Sequence, residues 1–186
     1  CTIRLAEPHP GRGNLRNGPP GIPPMNIVLV EPEIPPNTGN IARLCAATGS
    51  ALHLIEPLGF QLDDRQMQRA GMDYWRLVTW RRWANWPVFV ASLPAGARVW
   101  FIEQGGPQGY SEAAFGPDDY LVFGRETTGL PRQLLETHRD RWLYLPMPNP
   151  EARSLNLSNC VAIVVYEALR QTGFGAVESV DGKTSP

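Results

Sequence analysis

The fold turns on residues 26–57, NIVLVEPEIPPNTGNIARLCAATGSALHLIEP. NIVLV is a short apolar run of the kind that forms a strand buried on both faces, and ALHLIEP is a second one. Between them, Ile41, Leu44, Cys45 and Thr48 recur at i, i+3, i+4 and i+7, which lays one buried stripe along a helix. The link NTGNIAR, 37–43, reads as the start of that helix, with Asn37 as its cap and Gly39 and Asn40 in the first turn. On that reading Arg43 lies close to the positive end of the helix dipole, which favours anions and not a guanidinium. Two explanations stay open: a solvated arginine, or a cation placed beside a ligand.

The alternation continues outward. DDRQMQRAG, 63–71, is expected to form a helix opened by acids and closed by glycine, and WPVFVASL, 86–93, another. ARVWFIEQ, DYLVFG and WLYLPM are strands, PRQLLETH is a helix, and GGPQGYSEAAFGPD, 105–118, is turn-rich. CVAIVVY would pass for a strand by propensity, but NLSN supplies cap residues before it, YEALRQT continues at helical spacing, and Gly173 is a natural stop. It is therefore the core of a long final helix, apolar nearly all round and so expected to be sandwiched between the sheet and something else, such as a second subunit. Strands alternating with helices define an α/β domain with a mostly parallel sheet and helices on both faces. The domain is expected over 25–174. Residues 1–24, rich in Pro, Gly and Arg, read as a disordered extension or added leader, and 175–186 as a flexible tail.

At 186 residues, 42% hydrophobic and 19% charged, the chain can bury a core as one domain. Its three cysteines, at positions 1, 45 and 160, have neither CxxC nor Cys/His ligand spacing, so no disulfide framework or metal site is expected, and a cytoplasmic location fits best. No membrane-length apolar run occurs. A net charge of −1 excludes a general electrostatic pull toward nucleic acid and confines any RNA contact to a local patch. Nearly all the positive charge is arginine, which suits phosphate recognition, though coding bias gives the same composition.

In an open parallel sheet the ligand site lies beyond the carboxyl ends of the strands. Four loops in that position, EPEIPPNTGN, EQGGPQG, GRETTGLP and PMPNPEARSLNLSN, are rich in residues that let backbone approach a ligand closely. GxGxxG after the first strand, GxxxxGK[ST] and GxSxG are all missing, which excludes a dinucleotide fingerprint, a P-loop and a nucleophile elbow. His9, His53 and His138 fall in the leader, inside a strand and on a helix end, and none reads as a catalytic base.

In their order and separation, NTGNIAR, LVFGRETTGLP and LPMPNPEARSLNLSNCVAIVVYEA resemble the three motifs of the SPOUT class of RNA 2′-O-methyltransferases. Within that class the chain is most similar to the small tRNA enzymes that methylate the ribose of the wobble nucleotide, position 34, a C or modified U. The resemblance implies a C-terminal trefoil knot, S-adenosyl-L-methionine as methyl donor without a metal, tRNA as substrate, and a homodimer packed through the first and last helices. Carried over by position, it implies a cofactor site at Ile102, Gly124, Leu145 and Ser154, with Glu126, Leu130, Leu155 and Asn156 in the same loops. Arg43 would act on the ribose hydroxyl, with Asn37 and Asn159 to orient it. Tyr166 would lie at the dimer interface and RNA, or simply pack there.

One departure is EQGG, where relatives tend to carry Thr and Lys. RNA contact then leans on Arg65, Arg69, Arg76, Arg81, Arg82 and Arg153. The segment 65–82 interleaves its arginines with Tyr74, Trp75 and Trp80, which either stack on unpaired bases or belong to the core. The rival readings are the same chemistry on ribosomal RNA and a non-catalytic RNA-binding module of this fold.

Overall fold

A computed structural model describes residues 25–61 and 73–174. The helix expected over 63–71, with Arg65 and Arg69, lies outside the described residues, as do 1–24 and 175–186. The chain runs β1 (Asn26–Val30), α1 (Pro35–Thr48), β2 (Ala51–Ile55), a 3₁₀ turn (Asp73–Leu77), β3 (Trp80–Trp83), α2 (Trp86–Ala91), β4 (Val99–Ile102) and β5 (Gln108–Gly109). It continues through a second 3₁₀ turn (Tyr110–Glu112), β6 (Tyr120–Phe123), α3 (Arg132–Thr137), a third 3₁₀ turn (Arg139–Arg141), β7 (Trp142–Tyr144) and α4 (Leu157–Thr172).

The strands form one sheet in the order β3-β2-β1-β6-β4-β7-β5, and every ladder is parallel. The short β5 falls inside the stretch read as turns, because two residues pairing with β7 leave no periodic signal. Parallel strands bury both faces, and alternate residues show which layer each serves. Ile27, Leu29, Leu52, Leu54, Leu121 and Phe123 pack with Ile41 and Cys45 of α1 and with Val161, Val164 and Val165 of α4. Val28, Val30, Ile55, Phe101, Val122 and Trp142 face the other way, onto Phe89 of α2 and Leu135 of α3. Because strand side chains alternate, a one-residue slip of β1 would exchange the two sets, so the register is strongly specified.

Three expectations change. The first helix begins at Pro35, two residues before Asn37, with Ile34 as its N-cap and no side-chain cap bond. Prolines suit the first turn because their φ is already helical and they lack N–H groups that would go unpaired there. Arg43 consequently sits in the middle of a 14-residue helix, beyond reach of the terminal dipole, and the electrostatic objection to it falls away. The last helix, capped by the Asn156 carboxamide accepting from the Ser158 N–H at 2.9 Å, is not covered all round by its own chain. Asn159, Ile163, Tyr166 and Arg170 form an exposed stripe along it. Finally, Trp75 is buried in the core and packs edge-on against the half-buried Trp80 at 4.8 Å between ring centres, so neither stands out as a stacking platform.

The amino-terminal end of the sheet is closed by polar groups. Asp119, 1% exposed, accepts two bonds from Arg98 at 2.7 and 2.8 Å, one from Trp100 Nε1 at 2.8 Å and one from the Gly116 N–H at 2.9 Å. Nearby, His53 Nδ1 accepts from Trp83 Nε1 at 3.1 Å, which leaves the proton on Nε2 to donate to Asn26 Oδ1 at 3.3 Å. Burial, with a smaller contribution from the Arg81 charge, holds the His53 pKa down at about 4. This histidine is a neutral structural member, as its position inside a strand indicated.

Candidate cofactor site

β1, β4, β6 and β7 point their carboxyl ends to one side, where the loops after them surround a cavity of about 580 Å³. Ile102 and Leu145 line it as strand-end apolar residues, beside Phe123. The loop after β6 must double back on itself at Gly124, since a Cβ there would meet the Gly129 carbonyl carbon at 2.2 Å. Gly129 supplies the left-handed turn that completes the reversal, at φ 67°.

Glu126 fixes this loop to the first one. Its carboxylate accepts from the Glu33 N–H at 2.8 Å, the Ile34 N–H at 3.2 Å and Asn37 Nδ2 at 3.0 Å. The anion thus lies at the start of α1, where the helix dipole favours it. Glu33 answers by accepting from the Thr127 N–H at 3.1 Å and the Thr127 hydroxyl at 2.7 Å, and Arg125 pairs with Glu31. Asn37 is buried and uses its carboxamide twice: Nδ2 serves Glu126, and Oδ1 accepts from Asn156 Nδ2 at 2.9 Å. Asn156 in turn caps α4. One relay of side chains therefore joins the three separate motifs, and Asn37 is its centre and not a helix cap.

Of the residues read from the sequence, Ile102, Gly124, Glu126, Leu145, Ser154, Leu155 and Asn156 line the cavity, together with Asn37 and Arg153. Leu130 does not. Its side chain packs on the opposite core layer and bounds a neighbouring cavity of about 490 Å³, although its N–H donates to Glu103 Oε2 at 3.0 Å. Arg43, Asn159 and Tyr166 are exposed outside the cavity wall, Arg43 on α1 and the others on α4. Arg76 is exposed, Arg82 is exposed and paired with Glu56, and Arg81 is partly covered. Glu33 and Thr127 escaped sequence reading, because a bond across more than ninety residues has no local signature; the one hint was an acid held rigidly among prolines.

Cys160 lines the wall, and burial, helped by the nearby Glu103 charge, pushes its thiol pKa up, so it is a neutral surface there. The described residues include no cluster of His, Cys, Asp or Glu able to hold a metal, and no helix long and apolar enough to cross a membrane. The site therefore offers two apolar walls, close backbone and fixed carboxylates. That set fits a nucleoside-bearing ligand, and the volume lies within the usual ~300–1,000 Å³ of small-molecule sites.

A parallel sheet with β7 inserted between the earlier strands β4 and β5, and a cavity built by the loops on either side of that insertion, defines the knotted methyltransferase class of α/β proteins. Residues 24–166 match the SpoU rRNA Methylase family, and the chain belongs to that family. It is 54% identical over 151 residues to the tRNA (cytidine(34)-2′-O)-methyltransferase of Burkholderia cenocepacia, covering 80% of this chain and 96% of that protein. A solved structure described as "Structural insights into the 2-OH methylation of C/U34 on tRNA" superposes with a TM-score of 0.75 at 46% identity, over 79% of this chain and 95% of the other. An AdoMet-bound rRNA methyltransferase from Sinorhizobium meliloti shares the fold, with a TM-score of 0.70 at 24% identity over 84% of this chain and 59% of that one.

Proposed function

We propose that this protein methylates the ribose 2′-hydroxyl of the wobble nucleotide, C34 or modified U34, in tRNA anticodon loops, using S-adenosyl-L-methionine. The observation that carries the reading is the relay Glu126–Asn37–Asn156, which assembles all three motifs around one cavity of cofactor size. Proteins about half identical to this chain, and matched over nearly their whole length, are named for this reaction, which supports the tRNA assignment over ribosomal RNA.

Ile102 and Leu145 would cover the adenine, with the backbone at Gly124 and Leu145 reading its edge and Ser154 and Asn156 closing the site. Bound there, the cofactor supplies a methyl group on a sulfonium centre. Arg43 acts by charge: a guanidinium does not deprotonate in proteins, so it stabilises the developing 2′-alkoxide or holds the adjacent phosphate. Arg43 is outside its own chain's cavity wall, and the arrangement that reconciles this with a role in transfer is a homodimer packed through α1 and the Ile163–Tyr166 stripe of α4. Arg43 of one protomer would then serve the cavity of the other, with Asn159 beside it. Arg65, Arg69, Arg76 and Arg153 would hold the tRNA backbone. Such an enzyme works where tRNA is used, in the cytoplasm.

Labelled methyl transfer to bulk tRNA, followed by mapping of the modified nucleotide, tests the reading. Label in the ribose at position 34 is the expected result, whereas label on a base, or none with cofactor bound, would defeat it. Arg43→Ala is expected to lower kcat by about 100–1,000-fold with cofactor affinity within about twofold. Mixing it with an inactive cofactor-site variant should restore part of the activity if the site is shared.

A further inference from the structure

We propose that Glu103 makes the cofactor cavity prefer a cationic sulfonium donor over the neutral thioether product, and so favours exchange of product for fresh donor. The proposal rests on the cofactor reading above. Glu103 follows β4 directly after Ile102, is half-buried, and lines both the cofactor cavity and its neighbour. Its carboxylate is held in place: Oε2 accepts from the Leu130 N–H at 3.0 Å and Oε1 from the Gln104 N–H at 2.9 Å. The carboxylate lies tight against the left-handed turn at Gly129, where a Cβ would clash with Oε2.

The other charges on the wall are committed or peripheral. Glu126 is engaged by three donors, Arg125 pairs with Glu31, and Arg153 is exposed on its loop. Glu103 has one protein donor on each oxygen, and a carboxylate oxygen can accept more than one. Cys160 lines the same cavity from the facing helix, and the Glu103 charge adds to the burial that pushes its thiol pKa up. Glu103 lines the cavity itself, so a sulfonium bound there is within range of its charge. The methyl donor carries this positive charge and the product does not, whereas the adenine, ribose and amino-acid parts are common to both.

The test is titration calorimetry of S-adenosylmethionine and S-adenosylhomocysteine on the full chain and on Glu103→Gln, which keeps the acceptor for Leu130 but removes the charge. Glu103→Thr provides a second, smaller replacement. The expected result is that the donor-to-product affinity ratio falls by about five- to tenfold in both variants, through weaker donor binding. An equal loss for both ligands would overturn the proposal, assigning Glu103 to a shared part such as the ribose or to the loop alone. An unchanged ratio would overturn it too. If the unaltered protein binds neither ligand, the cofactor reading itself fails, and that outcome is separate from the others.

Discussion

Asp119 and Glu126 flank the same strand, β6, and show how differently its two ends are built. At the amino end Asp119 is buried and saturated by Arg98, Trp100 and Gly116, with the buried His53 bonded to Asn26 nearby. At the carboxyl end Glu126 also gathers three donors, but they belong to a loop and to the first turn of α1, beside open space. Both carboxylates pin distant segments together. The first fills the protein; the second holds a cavity open.

The difference sets the size of each expected effect. Asp119→Ala leaves a buried indole N–H and a backbone N–H without an acceptor and strips Arg98 of its partner. It should destabilise the fold by about 3–5 kcal/mol in denaturant titration. Acid should weaken the same end. The His53 pKa is about 4 in the folded protein against an ordinary 6.5, so between those values the unfolded chain binds the extra proton. The His53 contribution is complete above pH 6.5 and is lost as pH falls toward 4, by roughly 3 kcal/mol. Replacement by Gln should remove that slope from stability measured at several pH values. Glu126→Ala should lower stability by only about 1–2 kcal/mol, because water can reach the released N–H groups. Cofactor affinity should nevertheless fall by about tenfold or more, and a variant that lost stability without affinity would erase the distinction between the two ends.

These ends were also unequally legible in the sequence. The strand and helix alternation, the parallel sheet and the cavity-lining loops follow from apolar period and from Gly, Pro and Asn placement, which are local properties. Ile102, Gly124, Leu145 and Ser154 were accessible through motif resemblance, and all line the cavity. What escaped depends on distance. Asn37 looked like a cap because its partners, Glu126 and Asn156, are 89 and 119 residues away. The start of α1 is hidden because Pro35 and Pro36 have the composition of a loop, whereas at a first turn prolines are helix-compatible. Trp75 could be core or platform by composition, and only packing against Trp80 separates the two. The roles of Glu33 and Asp119 are likewise properties of the assembled sheet.

The bond from Asn156 to Asn37 also has a meaning in time. During synthesis the NTGN segment emerges early, yet its partner comes more than a hundred residues later, and the loop it completes is the last before α4. At translation rates of about 5–20 residues per second, that interval is at least several seconds. Throughout it, the nascent chain has its first motif and no finished cavity. The protein therefore completes its cofactor site late, and a chain released before Asn156 would have the front of a methyltransferase without a place for the methyl donor.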